Sequence, residues 1–276
     1  MKTLFKLLSN WPLWLLHGMG IGLGWVAFLL SVTYRKRFLA NARQAGLRWP
    51  QWLGAVGESG KLVAELPRIW LGAAVPVVWV GAEHVDEALA LQRGVVFLTP
   101  HLGCFEITAK AYAERYGQAG KPITVLFRPP RQSWLGEIVA AARRRPGLMT
   151  APTNLSGVKQ MIKALKRGES VGLLPDQVPP QGLGIMAPFF GRPAYTMTLS
   201  VRLQQQTDAS VILAWGERLG WGRGFRVHME PLSQALPAAL PEAIEVINRA
   251  MERLVLQSPQ QYLWGYARYK QPREQP

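Results

Sequence analysis

From residue 75 onward, the chain alternates short apolar runs with amphipathic stretches. The run Val95–Leu98 is apolar throughout, which is typical of a strand buried on both faces of a sheet. The stretch 155–167 spaces its apolar residues three and four apart, with lysines between them, which predicts an amphipathic helix. Predicted strands cover 75–80, 95–98, 122–127, 171–174, 210–215 and 225–229, and predicted helices cover 86–92, 106–116, 131–145, 155–167 and 241–256. This alternation predicts an α/β fold with a mostly parallel or mixed central sheet flanked by helices.

The N-terminal part of the chain follows a different pattern. No charged residue lies between Trp11 and Tyr34, and as a helix this stretch would be about 36 Å long, enough to cross a bilayer core of roughly 30 Å. Aromatic residues near both ends of the stretch suit the membrane–water interfaces. The basic run 35–37 directly follows the stretch and favours a cytoplasmic position for its C-terminal end. We therefore expect residues 1–34 to form a membrane anchor helix and residues 35–276 to form a single domain.

Two alternatives to a spanning helix exist for this stretch. A cleaved signal peptide is disfavoured, because the apolar run is long for one and is followed by basic residues instead of a small-residue cleavage site. A helix that lies in the plane of the membrane interface is the second alternative. Glycines recur here at every second position, and because no strand precedes them they favour close packing against another helix or lipid over a dinucleotide-binding turn. These glycines are Gly18, Gly20, Gly22 and Gly24.

The charge balance adds a preference for an anionic surface. Lys and Arg number 32 against 17 Asp and Glu, a net charge of +15, which suits acidic lipid, nucleic acid or an acidic carrier protein. The apolar fraction of 49% and the 11 tryptophans favour a membrane over nucleic acid, for which the chain shows no recognisable binding module. The single cysteine, Cys104, excludes an intramolecular disulfide.

A histidine and a carboxylate, His101 and Glu106, follow the predicted strand Val95–Leu98. On one regular helix, residues five apart point to different sides, because each residue turns by about 100°. The pair can meet if the histidine lies in a turn before the helix, and Pro100 and Gly103 favour such a turn. Histidine titrates near neutral pH, so the pair fits a general base oriented by an acid. Alternatively, the histidine is buried beside an unrelated surface glutamate.

Two further polar clusters follow predicted strands. Arg128 and Arg131 come after the third strand, and Asp176 and Gln177 come after the fourth. Ligands of open α/β sheets bind beyond the carboxyl ends of the strands, so these side chains are candidates for substrate binding. Each also has a simpler explanation, since Arg128 can cap a turn or pair with a nearby acid, and aspartate is common in turns.

Several common catalytic arrangements are missing from the sequence. There is no GxSxG nucleophile motif and no GxxxxGK[ST] phosphate-binding loop. Four histidines and one cysteine, widely scattered, give no zinc-ligand spacing. A nucleophilic role for Cys104 is disfavoured, because a lone cysteine in an apolar turn is more often a packing residue.

The segment TPHLGCFE, at 99–106, resembles the HX4(D/E) block of the glycerolipid and lysophospholipid acyltransferases. A more specific resemblance is to the bacterial lipid A late acyltransferases, the lauroyl and myristoyl enzymes, because blocks typical of that branch follow one another in order from the N-terminal anchor to Lys270. Leu102 and Cys104 stand where many relatives have an aromatic residue and an asparagine or tryptophan, a difference that bears on substrate preference. The blocks are GAEHVDEALALQRGVVFLTPHLGCFE, VLFRPPRQ, GESVGLLPDQVPPQGLGIMAPFFGRPAYT and SPQQYLWGYARYK.

The resemblance implies a glycerolipid acyltransferase-like fold and acyl transfer from a thioester of acyl carrier protein or CoA to a lipid hydroxyl, with no metal or other cofactor. It implies that His101 is the general base and that Glu106 holds the imidazole in the required tautomer. The hydroxyl oxygen would attack the thioester directly, without an acyl-enzyme. Arg128 would bind an acceptor phosphate or stabilise negative charge, and Asp176 would position the acceptor or support Arg128. Arg131 and Gln177 complete the expected substrate-binding set.

The resemblance also implies a place in the cell and a set of partners. We expect an inner-membrane protein with its acyltransferase domain, 35–276, on the cytoplasmic side, basic residues that dock an acidic acyl carrier protein, and no nucleic acid partner. Two alternatives remain: an acyltransferase that uses the same site on a glycerophospholipid or other lysolipid, and a non-catalytic membrane protein that binds anionic lipid.

Overall fold

The computed structural model describes residues 2–127, 132–143 and 145–272. Its strands are β1 (Val77–Val80), β2 (Val95–Leu98), β3 (Ile123–Phe127), β4 (Leu148–Pro152), β5 (Ser170–Leu173), β6 (Gly184–Phe189), β7 (Arg192–Met197), β8 (Ser210–Arg218) and β9 (Phe225–Pro231). Its helices are α1 (Lys2–Leu8), α2 (Leu13–Leu30), α3 (Val32–Gln44), α4 (Trp49–Ala64), α5 (Leu66–Leu71), α6 (Ala82–Ala90), α7 (Phe105–Arg115), α8 (Ser133–Ala142), α9 (Leu155–Lys166), α10 (Leu199–Thr207) and α11 (Leu240–Gln257).

The predicted α/β fold is confirmed. Within the described residues, a seven-stranded sheet has the order β1-β9-β8-β2-β5-β3-β4, and β6 pairs with β7 in a separate hairpin. Strands β8, β2, β5, β3 and β4 are parallel to one another, whereas β9 and β1 run in the opposite direction. The central strands β2 and β5 therefore end side by side at one edge of the sheet, which is where ligands of such sheets bind.

Apolar side chains cover both faces of the sheet. In β2, Val96 and Leu98 belong to the cluster on one face, together with residues of α9, α10 and α11. Val95 and Phe97 belong to the cluster on the other face, with residues of α6 and α7. All four side chains of β2 are buried, as the unbroken apolar run predicts for a strand covered on both sides.

Helix α2 has one face against the rest of the protein and one face exposed. In the part of the chain that the structure describes, α2 is the one helix long and apolar enough to cross a membrane. Gly20 and Gly24 face α4, and Gly60 of α4 faces them, so the two backbones approach closely. This confirms close helix packing for Gly20 and Gly24, whereas nothing lies within 4 Å of a Cβ added at Gly18 or Gly22. Large apolar side chains are exposed on the remaining surface of α2, namely Trp14, Met19, Ile21, Leu23, Val26, Leu29 and Leu30.

A buried ion-pair network connects α2 to the sheet. The carboxylate of Glu65, which is fully buried, accepts hydrogen bonds from Nε and Nη2 of Arg218 at 2.7 and 2.9 Å. Nε2 of His17, on α2, lies 3.0 Å from the same carboxylate, and Glu58 of α4 accepts from Nη1 of Arg218 at 2.9 Å. The buried charges of Glu65 and Arg218 therefore each have a partner of opposite sign, which removal of either residue would leave uncompensated.

Replacing Gly24 with alanine is expected to destabilise the protein by about 1–3 kcal/mol, because the new Cβ would overlap the carbonyl oxygen of Val56. The matched control is Gly22→Ala on the same helix, where no atom lies within 4 Å of the added Cβ. That change should be neutral or stabilising, because alanine is favoured over glycine in a helix by about 0.5–1 kcal/mol. Thermal unfolding in detergent measures both, and equal shifts in Tm would contradict the packing of α2 on α4.

Candidate functional site

His101 and Asp176 are brought together by the pairing of two adjacent parallel strands. Leu98 of β2 is in register with Leu173 of β5, and the ladder continues with a hydrogen bond from the backbone N–H of Thr99 to the carbonyl of Leu173. His101 and Asp176 each lie three residues beyond this register pair. Equal offsets beyond aligned strand ends place the two side chains side by side, although 75 residues separate them in sequence.

The imidazole of His101 is bonded on both ring nitrogens. Nδ1 lies 2.7 Å from Oδ1 of Asp176, and the backbone N–H of His101 donates to Oδ2 of the same carboxylate at 2.8 Å. Nε2 lies 2.9 Å from the side-chain nitrogen of Gln177. With a carboxylate at Nδ1 and an amide donor at Nε2, the consistent tautomer carries its proton on Nδ1 and a lone pair on Nε2. A lone pair on Nε2 can accept the proton of a hydroxyl group.

Asp176 is held in its ionised form. Burial by itself would raise the pKa of Asp176, but the electrostatic attraction of His101 and the hydrogen bonds from its ring and backbone outweigh burial, so the pKa lies below its ordinary value. The hydroxyl of Tyr262 also donates to Oδ2, at 3.2 Å. Asp176 is only 2% exposed, so the carboxylate depends on these donors instead of water.

Glu106 does not have the partner that the sequence predicts. It is the second residue of α7, and its carboxylate accepts hydrogen bonds from the indole of Trp70 at 3.1 Å and from Nη2 of Arg143 at 3.0 and 3.3 Å. The predicted role of Glu106 as direct partner of the His101 imidazole is therefore corrected, and Asp176 has that position. The physical reason is that the indole of Trp70, in α5, and the guanidinium of Arg143, directly after α8, bind the Glu106 carboxylate.

An apolar cavity extends from this region between α7 and one face of the sheet. It contains about 790 Å³ of empty space, part of it open to solvent. Its polar lining includes Glu106 and Arg143. Phe105 also lines the cavity, and its ring contacts the His101 ring edge to face with centroids 4.8 Å apart. The floor comes from apolar side chains of the sheet, among them Phe97, Ile123, Val125, Leu148, Ala214 and Met229. Such a cavity suits a long apolar ligand whose polar end lies near the imidazole.

The remaining predicted site residues have different outcomes. Gln177 lies in the site with its amide next to the His101 ring, whereas Arg128 and Arg131 lie outside the described residues. Cys104 is completely buried, and burial raises the pKa of its thiol well above the ordinary value, which is unfavourable for a nucleophile.

The structure also brings residues to the site that the sequence patterns did not single out. Tyr262 bonds Asp176, and Trp70 and Arg143 bond Glu106. Tyr262 belongs to the C-terminal block SPQQYLWGYARYK, so the one sequence signal for it was the resemblance of that whole block. Trp70 and Arg143 carry no such signal, because neither follows a strand of the sheet.

Comparisons with known proteins agree with the block pattern. The model of a family described as bacterial lipid A biosynthesis acyltransferase matches residues 61–271. The lipid A biosynthesis lauroyltransferase of Escherichia coli (strain K12) is 26% identical over 196 residues, which cover 69% of this chain and 61% of that protein. The lipid A biosynthesis palmitoleoyltransferase of the same strain is 24% identical over 192 residues, covering 69% and 60%. A lipid A biosynthesis acyltransferase of Haemophilus influenzae is 23% identical over 189 residues, covering 67% and 57%. The chain thus spans roughly three fifths of the length of these relatives.

Proposed function

Because the chain belongs to the bacterial lipid A biosynthesis acyltransferase family, we propose that it transfers a fatty acyl chain from an acyl thioester to a hydroxyl group of a lipid A precursor. The observation that carries the proposal is the His101–Asp176 pair next to an apolar cavity, which contains about 790 Å³ of empty space that is partly open to solvent. The pair supplies a base for a hydroxyl, and the cavity supplies an apolar environment for an acyl chain.

His101 acts as the general base in this proposal. The acceptor hydroxyl replaces the amide of Gln177 as the hydrogen-bond partner of Nε2. Nε2 then takes the proton of that hydroxyl. The oxygen attacks the thioester carbonyl, the new C–O bond forms, and the C–S bond breaks as the tetrahedral intermediate collapses. The imidazolium then returns the proton to the leaving sulfur, which departs as a thiol. Asp176 keeps the proton of the resting imidazole on Nδ1 and stabilises the cation that forms during attack.

Arginines are proposed to bind substrate, and Glu106 is proposed to hold one of them in place. Glu106 holds the guanidinium of Arg143 at the cavity, and the same guanidinium lies over the ring of Phe127, 4.5 Å from its centroid. We propose that Arg128 and Arg131, which follow Phe127 in sequence, bind the acceptor phosphate or the developing negative charge. Glu106 thus remains part of the proposed site, at the cavity instead of at the imidazole.

The proposed setting is the cytoplasmic side of the inner membrane. The exposed apolar face of α2 would contact lipid, because seven large apolar side chains lie on it. The net charge of +15 favours both an anionic lipid surface and an acidic carrier protein that delivers the acyl chain. In this proposal residues 1–34 contact the membrane, and the domain that follows carries the reaction.

We expect the purified protein to acylate a lipid A precursor. The assay offers lipid A precursor and lysophosphatidic acid side by side, each with lauroyl-acyl carrier protein and with lauroyl-CoA, and follows free thiol and lipid mass together. Thiol release that is coupled to one added acyl group on the lipid A precursor supports the proposal. Acylation of lysophosphatidic acid alone would replace the proposed acceptor, and binding of either lipid without thioester consumption would contradict an enzymatic function.

A further inference from the structure

We propose that Tyr262 is a positioning residue for the acyl transfer: its hydroxyl fixes the Asp176 carboxylate in the orientation that keeps the His101 proton on Nδ1. The inference rests on the proposed function, because it assigns a role within the base of that reaction. Tyr262 acts through Asp176, since its hydroxyl is bonded to that carboxylate.

The two oxygens of Asp176 have different partners, and Tyr262 contributes to this difference. Oδ1 is bonded to Nδ1 of His101 at 2.7 Å. Oδ2 accepts the backbone N–H of His101 at 2.8 Å and the Tyr262 hydroxyl at 3.2 Å. With two donors on Oδ2, rotation of the carboxylate would break two hydrogen bonds, so Oδ1 stays directed at the imidazole.

The Tyr262 hydroxyl is suited to be a permanent donor. Burial and the neighbouring Asp176 carboxylate raise the pKa of Tyr262 well above its ordinary value, so the phenol keeps its proton. The ring is itself held in place, because it packs edge to face on Trp264 with centroids 4.8 Å apart. The Trp264 indole donates to the carbonyl of Pro259 at 2.7 Å.

The backbone around Tyr262 also holds the turn that carries His101. Leu263 donates its N–H to the carbonyl of His101 at 3.1 Å, and Gly103 donates to the carbonyl of Gln261 at 3.0 Å. These bonds flank an antiparallel bridge between Leu102 and Tyr262. One C-terminal segment therefore sets the position of the histidine by its backbone and of the aspartate by a side chain.

One other charged group faces Asp176 from the same segment. Arg268 lowers the pKa of Asp176 through its charge, but its hydrogen bonds go to the carbonyl of Tyr195 at 2.7 Å and to the hydroxyl of Thr196 at 2.7 Å. Arg268 thus contributes charge at a distance. Tyr262 supplies a directional bond, together with the bonds from His101 itself.

The test compares Tyr262→Phe with Tyr269→Phe. Both changes delete a phenolic hydroxyl in the same segment, but the Tyr269 hydroxyl donates to the carbonyl of Phe189 at 2.8 Å, away from Asp176. Tyr262→Phe is expected to lower kcat roughly 5–30-fold with KM nearly unchanged, since a hydrogen bond to a charged group is lost. Tyr269→Phe should leave kcat within about twofold of wild type, although it also removes one phenolic hydrogen bond, here to a neutral carbonyl.

The pH profile separates positioning from plain structural support. With one donor fewer, the Asp176 carboxylate is more basic and stabilises the protonated imidazole more strongly. The acid limb of kcat/KM, which reports protonation of the base, should therefore move to higher pH in Tyr262→Phe and stay in place in Tyr269→Phe. Incorporation of fluorotyrosine at position 262 keeps the shape and makes the phenol a stronger donor, so it should move the same limb to lower pH. This second variant keeps the test valid if Tyr262→Phe does not fold.

A double-mutant cycle completes the experiment. If Tyr262 acts through Asp176, adding Tyr262→Phe to Asp176→Asn should lower the residual kcat by less than about twofold. The same fold loss in both backgrounds, or a wild-type kcat and pH profile in the single variant, would overturn the proposal. Turnover by the wild-type protein in the same assay is measured first, so failure of the proposed function is distinguished from failure of this inference.

Discussion

Replacing His101 with alanine is expected to reduce acyl transfer by at least roughly 10²–10⁴-fold, the range over which general-base catalysis contributes to rate. No other titratable side chain in the described residues has a hydrogen bond to Asp176 and an amide partner that a substrate hydroxyl can replace. Thioester consumption and lipid product measured together would show the loss. The matched control is His84→Ala on α6, because the His84 side chain is 37% exposed and lies outside the site.

The alanine variant leaves the buried Asp176 carboxylate without its ring partner, which by itself costs about 1–3 kcal/mol of stability. His101→Asn addresses this point, since its amide can donate to the carboxylate from near the position of Nδ1 but has no basic nitrogen. Both variants should be inactive, and the asparagine variant should unfold at a temperature closer to wild type. Wild-type turnover by a folded variant at this position would exclude His101 as the base.

Asp176→Asn is expected to reduce kcat by roughly 10²–10⁴-fold without loss of the fold. The amide nitrogen of asparagine can face Nδ1 only as a donor, which forces the imidazole proton onto Nε2 and removes the lone pair that the hydroxyl needs. The change is measured as kcat under saturating thioester and lipid. Asp208→Asn is the control with the same chemical change, because the Asp208 side chain is 74% exposed and pairs with Arg93 at the surface.

Lowering the pH should reduce the stability of the wild-type protein through Asp176. Because the pKa of Asp176 lies below its ordinary value, the stabilisation from its ionised form is complete above the unfolded-state pKa of about 3.9. This stabilisation is lost as the pH falls through the lower folded-state pKa.

Retention of wild-type kcat by Asp176→Asn would mean that the tautomer is fixed by another group and would remove the central feature of the proposed site.

The fold class and the edge of the sheet that carries the site could be predicted from the sequence. The apolar run Val95–Leu98 is a strand with the predicted bounds, and polar residues after it and after the strand near 171 do meet. Because ligands of such sheets bind beyond the carboxyl ends of the strands, these polar residues already indicated the edge that carries the site. Strand β4 and the hairpin of β6 and β7 were not predicted. Proline disfavours strands, and it stands inside β6 and β7 and as the last residue of β4.

The acid that partners His101 could not be predicted from spacing. Glu106 is near in sequence, so a local turn was the simplest way to bring a carboxylate to the imidazole. Asp176 is 75 residues away and reaches the imidazole only because Leu98 aligns with Leu173. Strand order and register depend on packing across the whole sheet, which no local pattern determines. The same holds for Tyr262, whose segment returns to the site from beyond α11.

The buried ion-pair network limits how this protein can be shortened. A variant that begins after residue 34, made to obtain a chain without its apolar helix, would lose His17 and uncover the glycine-lined surface of α4. Glu65 would then keep Arg218 as its partner but lie open to water on the side that α2 had covered. Removal of the helix would therefore expose a new apolar surface, and solubilising the whole chain with a mild detergent is the better route to a well-behaved preparation.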